Sequence, residues 1–82
     1  MGERRRSART FVFKAAQLLA PNRRKVVGCT VRDLSAGGAC VDMKRTEEIP
    51  QLFDLSFDWF RSCRRCEVKW RSPNRIGVTF KS

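Results

Sequence analysis

The chain reads as a series of short runs in which every second residue is apolar. Val27, Cys29 and Val31 alternate with Gly28, Thr30 and Arg32, and Ala39, Val41 and Met43 with Cys40 and Asp42. Phe53, Leu55 and Phe57 alternate with Asp54, Ser56 and Asp58. Towards the C-terminus, Cys66, Val68 and Trp70 alternate with Glu67, Lys69 and Arg71, and Ile76, Val78 and Phe80 with Gly77, Thr79 and Lys81. A period of two marks a strand with one face in a core and the other in water. Residues 10–20 begin β-rich and then turn to Ala and Leu; their period is ambiguous, and they are taken as the first strand.

Turn-forming residues separate these runs. Pro21-Asn22 follows the first strand, and Gly37-Gly38 marks a tight turn where positive φ is accessible. Thr46 to Pro50 is a single helical turn or a loop, and Ser72-Pro73-Asn74 a short hairpin connection. Six short strands so punctuated predict an all-β fold, an antiparallel barrel or sandwich, over residues 10–82. Residues 1–9 are polar and charged, which predicts a flexible basic N-terminal arm.

A chain of 82 residues has room for one domain. Such a chain buries only about 60% of its unfolded surface, so a large enclosed active-site cavity is not expected. Apolar residues make up 41%, enough for a core. No apolar run approaches the ~20 residues of a membrane span, and the N-terminus has no signal-peptide character. The expectation is a cytoplasmic protein without membrane insertion, whose Cys29, Cys40, Cys63 and Cys66 are reduced thiols. Histidine, the commonest general base and metal ligand, is absent. Cys63-Arg-Arg-Cys66 is a lone CxxC with no second ligand pair, so no metal and no cofactor are expected. Nor is there a nucleophile–base pair or a P-loop, and the protein is read as no enzyme.

The formal charge of +10 points to an anionic partner. It is unevenly spread. Residues 1–14 hold five basic side chains and one acidic (net +4), 42–58 two and five (net −3), and 61–81 seven and one (net +6). Two clusters could carry a localised anion site. In Arg4-Arg5-Arg6-Ser7-Ala8-Arg9 the guanidinium forks match phosphate geometry and stack on flat bases. In Asp33-Leu34-Ser35-Ala36-Gly37-Gly38 a carboxylate suits the N1–H and amine of a guanine, a serine adds a hydroxyl, and glycine admits a flat ligand close to the backbone. Each has a plainer reading: a basic tail for the first, and for the second a turn in which Asp33 and Ser35 bond the local backbone.

Together the clusters resemble the two signatures of the PilZ family, RxxxR near the N-terminus and [D/N]xSxxG after the second strand. Here they read Arg5-x-x-x-Arg9 and Asp33-x-Ser35-x-x-Gly38, with every position matched; Glu3-Arg4-Arg5 and Arg75-Ile-Gly-Val-Thr-Phe80 extend the likeness over the whole chain. The resemblance implies a six-stranded antiparallel β-barrel that binds cyclic di-GMP on its outer surface. Arg5 and Arg9 would clamp the ligand, while Asp33, Ser35 and Gly38 would read a guanine. An arginine just before the first motif goes with two stacked ligand molecules, and Arg4 holds that place. Many members carry a C-terminal helix; here the last predicted strand runs directly to Ser82, so that helix is expected to be absent.

Trp70 falls on the apolar face of its strand and is expected in the core, the alternative being a place beside the site, stacked on guanine with help from Arg71. Asp54 and Asp58 are read as solvated. The resemblance makes the chain a receptor that passes the ligand signal to a protein partner. A rival is a basic barrel that binds nucleic acid, which needs exposed aromatics along a groove; here most aromatics alternate into the predicted core. A third reading is a barrel of this family that no longer binds ligand. A salt titration of DNA binding separates the first two, because a nucleic-acid reader loses affinity steeply and linearly in log salt.

Overall fold

A computed structural model describes residues 10–20 and 26–81 of the chain. Among them are six strands: β1 (Thr10–Leu19), β2 (Val26–Leu34), β3 (Gly38–Asp42), β4 (Leu52–Ser56), β5 (Arg64–Ser72) and β6 (Arg75–Phe80). Each pairs antiparallel with its neighbours in the order β1-β2-β3-β6-β5-β4, and β4 returns to β1 through Gln17↔Ser56 to close a barrel. The described residues contain no helix; Thr46 to Pro50 form a loop with one turn at Glu47-Glu48. The expected six-stranded antiparallel barrel is the observed architecture. The expected arm, residues 1–9, lies outside the described residues.

Alternation fills the interior. Leu18, Val31, Val41, Phe53, Leu55 and Ile76 lose essentially all contact with water, and burying each such side chain contributes about 1.5–3 kcal/mol. Cys29 and Cys66 join them, and burial pushes their thiols up to about 11 and about 12. At one end of the barrel the 43–50 loop is fastened to the β5–β6 hairpin. The Thr46 hydroxyl donates to the Ser72 carbonyl, the Thr46 amide donates to the Pro73 carbonyl at 3.1 Å, and Arg71 donates to the carbonyls of Thr46 and, at 2.8 Å, Ile49. The other end gathers the start of β1, the 35–37 turn, the end of β6 and the 57–63 loop, as the pairings Thr10↔Leu34, Gly38↔Thr79 and Cys66↔Phe80 require.

Two single-residue insertions change which side chains face out. On β2, Val31 lies opposite Val41 but Asp33 opposite Cys40, leaving Arg32 as an extra residue. On β5, Val68 lies opposite Val78 but Trp70 opposite Gly77, leaving Lys69 extra. Because side chains alternate strictly, one inserted residue exchanges the faces of all that follow. Asp33 therefore joins the outer face with Cys40, while Leu34 pairs with the core residue Ala39. Trp70 likewise joins the outer face. It is 49% exposed, which corrects the expectation of a core tryptophan, and Arg71 turns instead to the loop carbonyls. A third irregularity, in β1 between Phe11 and Lys14, carries Phe13 at φ 47 and leaves Phe11 and Phe13 exposed with rings stacked 6.4 Å apart.

The 57–63 loop is held by Asp58 rather than leaving it solvated. Its carboxylate accepts the Ser62 amide (3.0 Å), the Ser62 hydroxyl (2.9 Å) and the Ser56 hydroxyl (2.7 Å). Asp54 accepts from Arg65 at 2.8 Å. The Ser62 amide, followed by the two hydroxyls, lowers the Asp58 acid to about 2. A carboxylate with a folded value below its unfolded one adds stability above the unfolded value near 4, and that contribution fades as pH falls towards 2. The amide resonance of Ser62 is accordingly expected to titrate with a midpoint near 2, and to hold steady above pH 4, in an NMR pH series.

Candidate functional site

The insertions line up one row of cross-strand partners on the outer wall. Phe11 pairs with Asp33, Asp33 with Cys40, Cys40 with Gly77 and Gly77 with Trp70, running through β1, β2, β3, β6 and β5. Aromatic rings stand at the two ends of the row, and its middle is the small pair Cys40 and Gly77. Gly77 is required there because a Cβ would lie 2.1 Å from Trp70 Nε1, so the indole lies flat against the backbone of β6.

That geometry makes a groove of about 310 Å³ on the surface, lined by Ser35, Gly37, Gly38, Cys40, Lys69, Trp70 and Thr79. The turn at its edge follows from its residues. The Ser35 amide donates to the Gly38 carbonyl at 2.9 Å, the Ser35 hydroxyl leans on the same oxygen at 3.4 Å, and the Phe80 amide donates to the Gly37 carbonyl at 2.9 Å. Ser35 thus takes part in the local turn that was its plainer reading, and its oxygen keeps capacity to accept. Gly38 serves a purpose other than the one expected of it. No glycine among the described residues has positive φ, and Gly38 is buried; a Cβ there would lie 2.1 Å from the Val78 carbonyl oxygen, so glycine lets β3 close against β6.

Asp33 sits one strand away, beside Cys40, and is only 5% exposed. Burial raises the Cys40 thiol above its usual range, and the Asp33 carboxylate adds to the shift. Asp42 anchors the cations flanking this wall, at 2.7 Å from Arg75 and 3.5 Å from Arg32. Of the six residues singled out in the sequence, the structure brings Ser35 and Gly38 into the groove and Asp33 to its neighbourhood. Arg4, Arg5 and Arg9 lie outside the described residues. Trp70, expected in the core by its parity, takes instead the place beside the Ser35–Gly38 turn that was its alternative reading, though without Arg71, which bonds the Thr46 and Ile49 carbonyls. The signal for it was indirect: an apolar residue opposite a glycine in a strand with one residue too many.

The expectation that aromatics mostly point inward is also corrected. Phe53 is fully buried, but Phe11, Phe13, Trp59 and Trp70 are all exposed. A second hollow of about 510 Å³, between Leu18, Val26, Lys44 and Ile49, lies at the opposite end of the barrel, remote from the motif. Among the described residues no group of three or more Cys, Asp or Glu gathers as a metal site.

In comparisons with known proteins, the family model described as "PilZ domain" matches residues 3–82. No curated protein matches the chain. Gly77→Ala is expected to drive the indole off the wall and destabilise the barrel by about 1–3 kcal/mol, since the ring or the strand must move. A red-shifted tryptophan emission together with a lower urea midpoint would register both effects.

Proposed function

The chain belongs to the PilZ domain family, and on that premise we propose that it is a cytoplasmic receptor for cyclic di-GMP, with no catalytic step of its own. The observation that carries this reading is the meeting of Ser35, Gly38 and the exposed indole of Trp70 in one groove, at the end of the barrel where β1 begins. A guanine lying in the groove stacks on Trp70, an interaction of about 1–3 kcal/mol per base. The Asp33–Gly38 turn offers its oxygens to the guanine edge.

The phosphates fall to Arg5 and Arg9, with Arg4 in the place that favours a second, stacked ligand molecule. Thr10 pairs with Leu34, so Arg9 precedes the residue that sits opposite the motif. Arg5 is five residues from Thr10, a reach of at most about 18 Å when extended. Charge-assisted bonds from such arginines are each worth roughly 1.5–3 kcal/mol, less the ordering of the chain that carries them. Binding then fixes residues 4–9 over the outer wall and alters one face of the molecule, which a protein partner reads.

Calorimetric titration with cyclic di-GMP tests this directly and returns affinity and stoichiometry together. Arg5→Ala and Asp33→Ala are each expected to abolish the heat of binding while circular dichroism stays that of the barrel. Trp70→Ala is expected to weaken binding by roughly tenfold or more. Undiminished affinity in the Arg5 and Asp33 variants would refute the site.

A further inference from the structure

The loop after β4 carries an unusual backbone. Trp59 and Phe60 are consecutive, bulky and non-glycine, yet both take the left-handed conformation, at φ 57 and φ 69. Such residues persist only where their surroundings over-determine them, and they collect at functional segments. Here the surroundings are explicit. The Trp59 amide donates to the side chain of buried Gln17 at 2.8 Å, the Phe60 amide donates to the Ser56 hydroxyl at 2.8 Å, and Asp58 ties the start of the loop to Ser62. The outcome of this scaffolding is an indole 71% exposed, the most exposed large apolar side chain among the described residues. The core gains nothing from it.

The neighbourhood is cationic. Arg61 follows directly and forms no ion pair among the described residues, Lys14 stands 5.2 Å over the Phe57 ring, and Arg64 stands 4.2 Å over the Phe80 ring. Every acidic side chain among the described residues is engaged within the chain: Asp42 with Arg75, Glu47 and Glu48 with Arg45, Asp54 with Arg65, Asp58 in its loop, Glu67 with Lys81, and Asp33 in contacts of its own. A second copy of the chain therefore offers the loop no spare carboxylates. Neither the loop nor its aromatics line the groove at Trp70 or the hollow at the far end. An exposed tryptophan with Arg61 and Arg64 beside it suits a surface that is negative and two-sided in polarity.

We infer that the 57–63 loop and the start of β5 form a peripheral contact for anionic lipid headgroups, with Trp59 seated at the headgroup level and Arg61 and Arg64 on the lipid phosphates. Tryptophan partitions to that boundary because its ring is apolar and its N–H needs a polar partner. Basic residues close to an anionic leaflet each add attraction that salt screens.

A vesicle assay on the full chain separates this inference from adhesion by the net charge of +10. Sedimentation with phosphatidylcholine–phosphatidylglycerol vesicles is expected to show binding that pure phosphatidylcholine does not support. Trp59→Ala, which leaves the charge unchanged, should lower the partition coefficient roughly tenfold, and Trp59→Phe should restore part of it. In a Trp70→Phe background Trp59 is the single tryptophan, and brominated phosphatidylcholine in the same vesicles should quench it. Equal partitioning of wild type and Trp59→Ala would overturn the inference by showing charge alone at work. An unquenched Trp59 in bound protein would overturn it too, leaving the loop in water and available to an acidic protein segment instead.

Discussion

The strict two-residue period of a strand, closed into a ring with no free edge, is the constraint on which everything else in this molecule rests. In an open sheet a slipped residue is absorbed at an edge. In a six-membered ring each strand is fixed on both sides, so an extra residue is taken up locally and exchanges inside for outside beyond it. Lys69 does this on β5 and Arg32 on β2. Had β5 kept an unbroken register, with Lys69 opposite Gly77, Trp70 would point into an interior already filled by Phe53, Leu55 and Ile76, and Arg71 would leave the carbonyls of Thr46 and Ile49. The outward face of Trp70 and the plug at the far end thus follow from the same insertion.

A small closed core restricts where function can reside. The interior is filled by side chains from all six strands, so it has little freedom to rearrange when a ligand arrives. Chemistry is left to the outer wall, the loops at the two ends and the segment before Thr10. The two ends differ in build. One is tied shut by Thr46 and Arg71 through backbone carbonyls. The other presents the Ser35–Gly38 turn, the entry of β1 and the 57–63 loop side by side. The proposed ligand site and the proposed surface contact through Trp59 therefore share one pole of the barrel.

Much of this was legible in the residues, for identifiable reasons. The six strands and the Pro73-Asn74 hairpin appear because half-buried strands write their period directly into the sequence. The motif turn was visible in Asp33, Ser35 and Gly38, although the purpose of Gly38 was not, since close packing of β3 on β6 leaves the same mark as a turn needing positive φ. Trp70 was misplaced because parity counts residues and a bulge adds one without any marker in composition. Asp58 looked like a solvated acid because the amide and hydroxyls it gathers come from a loop whose shape no periodicity encodes. The strained pair Trp59 and Phe60 was invisible for the same reason.

The four thiols are unequal. Cys29 and Cys66 are sealed in the core with their acidity suppressed, and Cys40 is buried on the outer wall, but Cys63 stands exposed just ahead of β5. A maleimide reagent applied to the folded protein would therefore choose one position without any engineering. The barrel comes with a ready-made anchoring point for a fluorophore or spin probe, within the loop that carries Trp59 and at the pole where β1 begins.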